Sequence, residues 1–167
     1  MNFPLLNQFY VKDNILKFFE DKLEQYKNNS YYWVDIKTTC TKNGIQTKNL
    51  LTINDEELLS NLDELRRYLE KKFEFKLKYY WVHMIEYEYG GKQDIHNHEK
   101  KEDFSVILYL NDCVDGNTCF ILNNIRKVMV SITPQKNKGV IFSSLIKHYA
   151  EKCSNNKKVL VCGFRLY

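Results

Sequence analysis

Arginine is scarce in this chain: Arg66, Arg67, Arg126 and Arg165 stand among 25 basic residues, so an anion bound by this protein is met mostly by lysine. No CxxC pair occurs among Cys40, Cys113, Cys119, Cys153 and Cys162, and their odd number argues against a closed disulfide framework. The opening segment MNFPLLNQFYVKDN lacks a basic stretch followed by an apolar one, the pattern of an export signal. Together these predict a reduced, intracellular, cytoplasmic setting. No apolar run approaches the ~18 residues of a membrane span, so a soluble protein with no membrane partner is expected. Long runs of like charge, internal repeats and low-complexity linkers are also missing. The net charge of +4 permits a nucleic-acid partner without indicating one.

What is present is enough for one core. With 167 residues, 44% apolar and 14% aromatic, the chain reads as a single domain. Two helical patterns lie in its first half. Asp13 can cap a segment with apolar residues Ile15, Leu16, Phe18, Phe19, Leu23 and Tyr26 at helical spacing, ended by Lys27-Asn28-Asn29. Asn54 or Asp55 can cap EELLSNLDELRRYLEKKF, whose Leu58, Leu59, Leu62, Leu65 and Leu69 predict a buried stripe. Between them YYWVDIK (31–37) reads as a strand, followed by a polar turn around Lys42-Asn43-Gly44. From residue 76 the texture changes to strands: LKYYWVHMIEYEY, FSVILYL, NTCFIL, KVMVSI, GVIFSS and KVLVCGFRLY, separated by short polar turns. The expectation is a helical buttress with a first strand over 1–75, and a sandwich or barrel-like sheet over 76–167.

The chemistry-bearing residues are histidines: His83, His96, His98 and His148. Alternate residues of a strand share a face, so His96 and His98 can offer two imidazoles to one centre. A third ligand from a distant strand completes one face of an octahedron and leaves positions open; His148, just after GVIFSS, is the candidate. His83 lies in the apolar run Tyr80-Trp81-Val82-His83-Met84 and reads as a core histidine. An HxH pair by itself is weak evidence for metal.

The order of the surrounding residues is more specific. Tyr87-Glu88-Tyr89-Gly90, His96-Asn97-His98, Tyr109-Leu110-Asn111-Asp112, Gly116-Asn117-Thr118-Cys119-Phe120, Pro134 with Gly139, Phe142-Ser143-Ser144, His148 and Lys158 follow one another along residues 79–164. This series resembles the Fe(II)/2-oxoglutarate-dependent dioxygenases, and among them the prolyl-4-hydroxylase-like branch. The resemblance implies a mainly β fold, a double-stranded β-helix (jelly-roll, cupin-like) with N-terminal supporting helices. It implies Fe(II) held by His96, His98 and His148, and 2-oxoglutarate and dioxygen as co-substrates, with ascorbate as an accessory reductant. Lys158 and Tyr109 would meet the far carboxylate of 2-oxoglutarate and Tyr87 its chelating end. Lys157 is the rival of Lys158: Lys158 shares a face with Leu160, Cys162 and Phe164, Lys157 with Val159, Val161 and Gly163, and both faces are apolar.

The sequence departs from the family pattern at residue 98, where the usual carboxylate ligand is histidine. Three readings stand: an all-histidine site, a carboxylate from Asp103, Glu99 or Asp94 entering the site, or a domain that only binds. A peptidyl proline is the first substrate to consider, with other peptides, nucleobases or small molecules behind it, since such a fold hosts all of these. The rival functions are a three-histidine cupin-like dioxygenase that does without 2-oxoglutarate, and an inactive binding module on the same fold. Residues 38–52 and 99–103 are the expected substrate loops.

Overall fold

The heptad-like leucine spacing of the first half and the alternating apolar residues of the second form two layers in a computed structural model that describes residues 6–98, 101–123 and 128–167. The described elements are β1 (Leu6–Tyr10), α1 (Asp13–Lys27), β2 (Thr41–Gln46), α2 (Glu56–Phe73), β3 (Leu77–His96), β4 (Phe104–Tyr109), β5 (Thr118–Asn123), β6 (Val128–Ile132), β7 (Lys138–Ser143), β8 (Lys147–Ala150) and β9 (Lys157–Leu166).

The described strands form one continuous, curled sheet in the order β1-β7-β4-β9-β3-β8-β5-β6, with β2 also paired to β3. The long β3 makes the curl possible. Its first part pairs with β9, from Leu77 opposite Leu166 to Tyr87 opposite Lys157. Its last part pairs with β8, Gln93 opposite Ala150 and His96 opposite His148. Between the two, Gly90 takes φ +73°, a backbone region that glycine enters without steric cost. One strand thus belongs to both halves of a double-stranded β-helix.

The central strands are buried on both faces. On β4 and β9, Val106, Leu108, Leu160, Cys162 and Phe164 join Leu16, Phe19, Leu23, Leu58, Leu62, Leu65 and Leu69 of the helices in one core. The opposite faces contribute Ile107, Tyr109 and Val159 to a second core inside the barrel, with Ile85, Tyr87, Phe120, Val140 and Phe142. The helices therefore cover one face of the sheet, and the barrel interior is the other.

Several local expectations change. Asp13 lies in the first turn of α1, and the N-cap position is Lys12, without a side-chain cap; the Asp13 carboxylate instead accepts from Asn137 Nδ2. Asp55 does cap α2, accepting from Leu58 N at 2.9 Å. Leu59 is 39% exposed and outside the buried stripe. Residues 31–37 are not a strand: Asn29 and Asp35 accept from the backbone of Tyr31 and Lys37 and cap two 3-10 turns, a local alternative to ladder pairing. Part of 38–52 is strand, since β2 pairs with β3. Among the described residues, no helix is long and apolar enough to cross a membrane.

Candidate metal centre

His96 ends β3 and faces His148 of β8 in register, while His98 lies two residues beyond on the same side. One ligand atom from each of the three lies within 4.8 Å of the others. The chain restricts which nitrogen that is. His96 Nδ1 lies 2.8 Å from the carbonyl of Asp94 and His148 Nδ1 3.0 Å from that of Ile146. A carbonyl oxygen only accepts, so Nδ1 of each ring carries the proton and Nε2 keeps its lone pair for a ligand. Burial holds His148 down to about 3, helped by the adjacent His96, and lowers His96 as well. Neutral imidazoles are the form that binds metal.

His98 is held differently. Its Nδ1 is 2.5 Å from Glu102 Oε1 and 3.1 Å from Ser105 Oγ, and its ring stands edge-on to Trp81 with centroids 5.3 Å apart. His148 packs edge-on to Phe142, centroids 4.7 Å apart.

The three histidines sit in a cleft of about 530 Å³, whose walls include Tyr80, Trp81, His83, Gln93, Ile107, Phe142 and Val161. A β-bulge shapes this wall. Tyr79 pairs with Phe164 and Trp81 with Gly163, leaving Tyr80 as an extra residue, and both Tyr80 and Trp81 line the cleft. Bulges of this kind re-aim side chains. A Cβ at Gly163 would lie 2.4 Å from the Trp81 indole nitrogen, so glycine makes room for the ring. His83 is on the cleft wall rather than in the core, its Nδ1 2.9 Å from the Thr47 carbonyl; it is not part of the cluster.

Deeper along the same inward faces lies a cation. Lys157, opposite Tyr87 in register, is 2% exposed. Its Nζ donates to the Gly116 carbonyl at 2.6 Å and lies 5.0 Å from the Tyr87 ring centroid and 5.9 Å from that of Tyr109. Tyr109 in turn donates to Thr118 Oγ1 at 2.8 Å. No carboxylate pairs with Lys157 among the described residues, and burial pulls its ammonium down to about 8. Tyr87, Tyr109 and Lys157 stand beyond the lining of the open cleft.

The expectation for Lys158 is corrected here. Its side chain turns to the helix layer, where Nζ pairs with Glu24 of α1 at 2.5 Å. Alternation along β9 fixes this: Lys158 goes with Leu160, Cys162 and Phe164 against the helices, and Lys157 with Val159 toward the barrel interior. The carboxylates considered for the metal are also elsewhere. Asp103 accepts from Leu166 N at 2.9 Å, Asp94 pairs with Lys92 at 3.0 Å, and Glu99 lies outside the described residues. The carboxylate that does reach the cluster is Glu102, four residues past His98. It stands beside Asp103 in the Glu102-Asp103 pair that precedes β4, a strand buried throughout, and nothing in the sequence separates the two acids.

No family model matches the chain, and no curated protein matches it by sequence. The fold is similar to that of solved 2-oxoglutarate-Fe(II) oxygenases. A prolyl-4-hydroxylase from Pseudomonas putida superposes with a TM-score of 0.71 at 16% identity, over 96% of this chain and 92% of that one. The viral collagen prolyl hydroxylase of Paramecium bursaria Chlorella virus-1, solved with 2-oxoglutarate, gives 0.67 at 13% identity, over 98% and 97%. HygX from Streptomyces hygroscopicus, bound to nickel, 2-oxoglutarate and hygromycin B, gives 0.70 at 10% identity, over 98% and 84%. The cluster of His96, His98 and His148 fits the HxH form of the expected metal motif.

Proposed function

We propose that this protein is an Fe(II)- and 2-oxoglutarate-dependent oxygenase that hydroxylates its substrate, with a peptidyl proline as the first substrate to test. The observation that carries the reading is the convergence of His96, His98 and His148, with the Nδ1 of each ring engaged from behind. Three neutral nitrogens on one side of an ion suit Fe(II) and leave positions for a chelating acid and oxygen. Iron held there would supply the oxidative chemistry, with dioxygen as the oxidant and the 2-oxo acid as the two-electron donor; the protein supplies binding, orientation and exclusion of water.

Lys157 supports 2-oxoglutarate over a substrate that binds the metal alone. A buried ammonium without a carboxylate partner is costly, and an incoming dianion would offset that cost with a charge-assisted hydrogen bond. Lys157 would hold the far carboxylate, beside the rings of Tyr87 and Tyr109, whose centroids lie 5.0 and 5.9 Å from its Nζ. Tyr80 and Trp81 offer aromatic surface to a substrate beside the histidines. The resemblance of the fold to prolyl hydroxylases supports starting with proline-containing peptides, and the antibiotic complex of HygX supports a small-molecule panel alongside.

The test is succinate formation from 2-oxoglutarate by protein prepared without oxygen, loaded with Fe(II) and then exposed to air. Wild type is expected to produce succinate without added substrate, His148→Ala and Lys157→Ala none, and Lys158→Ala close to the wild-type amount. Turnover of a substrate without 2-oxoglutarate would establish the three-histidine dioxygenase reading instead, and absence of iron binding would leave a binding module.

A further inference from the structure

Glu102 precedes β4, and its side chain is entirely shielded from solvent. A carboxylate in such a place is costly unless charge and hydrogen bonds compensate it. Among the described residues the compensation is incomplete. Oε1 meets His98 Nδ1 at 2.5 Å and accepts from Ser105 Oγ at 3.3 Å, whereas Oε2 is buried with no hydrogen-bond partner among the described residues. Among the described residues its ion-pair partner is His98 alone, with no lysine or arginine.

The backbone holds this carboxylate in place. Ser144, after β7, accepts from His98 N at 3.0 Å and donates its own N to the Asp103 carbonyl at 3.1 Å, and its hydroxyl donates to the Glu102 carbonyl. His98 and Glu102 are therefore tied to one residue. The other two rings of the cluster lean on neutral carbonyls; only His98, at the position where the family pattern has a carboxylate ligand, leans on a charge.

We propose that Glu102 is a positioning residue for the metal centre: it fixes His98 with Nε2 toward the ion and delivers through the imidazole the negative charge that a carboxylate at position 98 would deliver directly. This rests on reading the three histidines as a metal site. A carboxylate behind a ligating imidazole strengthens its donation and fixes its tautomer. The orphaned charge of Glu102 then finds its counter-charge in the ion on the far side of the ring.

Glu102→Gln separates charge from shape, since the amide oxygen can still accept from His98 Nδ1–H. Two quantities are read: the Co(II) affinity of the metal-free protein, and the ferric/ferrous potential of the iron-loaded protein. Glu102→Gln is expected to bind Co(II) about 10–100-fold more weakly and to shift the potential upward, because the ferric ion loses more from the missing charge. Ser105→Ala is expected to move both much less. Equal affinity and potential in wild type and Glu102→Gln would overturn the inference while leaving the metal site intact; a wild type that binds no Co(II) would overturn the metal reading and the inference with it. If Glu102→Gln does not fold, the Zn(II)-loaded wild type decides by proton NMR. The His98 Nδ1–H signal is expected well downfield of those of His96 and His148, and coincidence of the three would contradict the proposal.

Discussion

A lysine inside a barrel with no carboxylate paired to it among the described residues is a group under tension, and Lys157 gives that tension a pH signature. Its ammonium titrates near 8 in the folded protein because burial disfavours the charge, against about 10.4 in an unfolded chain. Between these values the unfolded chain holds a proton that the native protein has lost, so the stability of the metal-free protein should rise with pH from about 8 to about 10.4. Binding of 2-oxoglutarate should do the reverse, being strongest below pH 8 and weakening by up to about tenfold per pH unit above it. Isothermal titration at pH 7, 8 and 9 checks the sign; an affinity flat in pH would contradict it. Lys157→Met removes the buried charge at nearly constant volume. It should abolish 2-oxoglutarate binding and leave the metal-free protein about 1–3 kcal/mol more stable at pH 7, measured by urea unfolding.

The choice between Lys157 and Lys158 is also where the sequence was least informative. On a strand with one wet face, the charged residue of a neighbouring pair marks the outside. Strand β9 has no wet face over Lys157–Phe164: one side meets the helices and the other the barrel interior. The fold shows which lysine is which: Lys158 reaches Glu24 on α1, a partner distant in sequence, and Lys157 the Gly116 carbonyl inside the barrel. Glu102 was missed for a related reason, because a carboxylate acting from behind a ligand leaves no spacing signature of its own. The clustering of His96 and His98 was legible because alternate residues of a strand share a face, and His148 because it follows a strand that brings it back to them.

At the scale of elements, β3 organises the site through its bulge. Gly163→Ala would place a methyl group 2.4 Å from the Trp81 indole nitrogen, and the ring would have to shift toward the cleft. A loss of about 1–3 kcal/mol is expected, with a change in tryptophan fluorescence; an unchanged spectrum and unfolding midpoint would show that the bulge absorbs the methyl group. The six strands expected beyond residue 76 are present because their β-branched and aromatic runs are long. β2, with the polar sequence TKNGIQ, reads as a turn and becomes a strand only because β3 offers it an edge. β8 spans four residues, Lys147–Ala150, and nothing local distinguishes it. The aromatic run at 31–33 has strand propensity, but Asn29 and Asp35 divert its backbone into turns.

At the scale of the molecule, helices, barrel and cluster depend on one another. The ion would tie the end of β3 and the segment just beyond it to β8, and thereby close the curled sheet between its two halves. A ligand that binds only the folded chain stabilises it by mass action, so Co(II) or Zn(II) at 100 times its dissociation constant should add about 2.7 kcal/mol and raise the melting temperature. EDTA should reverse this, and His96→Ala should eliminate it.

Anaerobic absorption spectroscopy tests most directly whether iron and 2-oxoglutarate meet in this cleft. Adding 2-oxoglutarate to the Fe(II)-loaded protein should generate a visible charge-transfer band that saturates at one equivalent and is lost in Lys157→Met. Iron that binds at the histidines yet gives no band with 2-oxoglutarate at any concentration would contradict the proposed function.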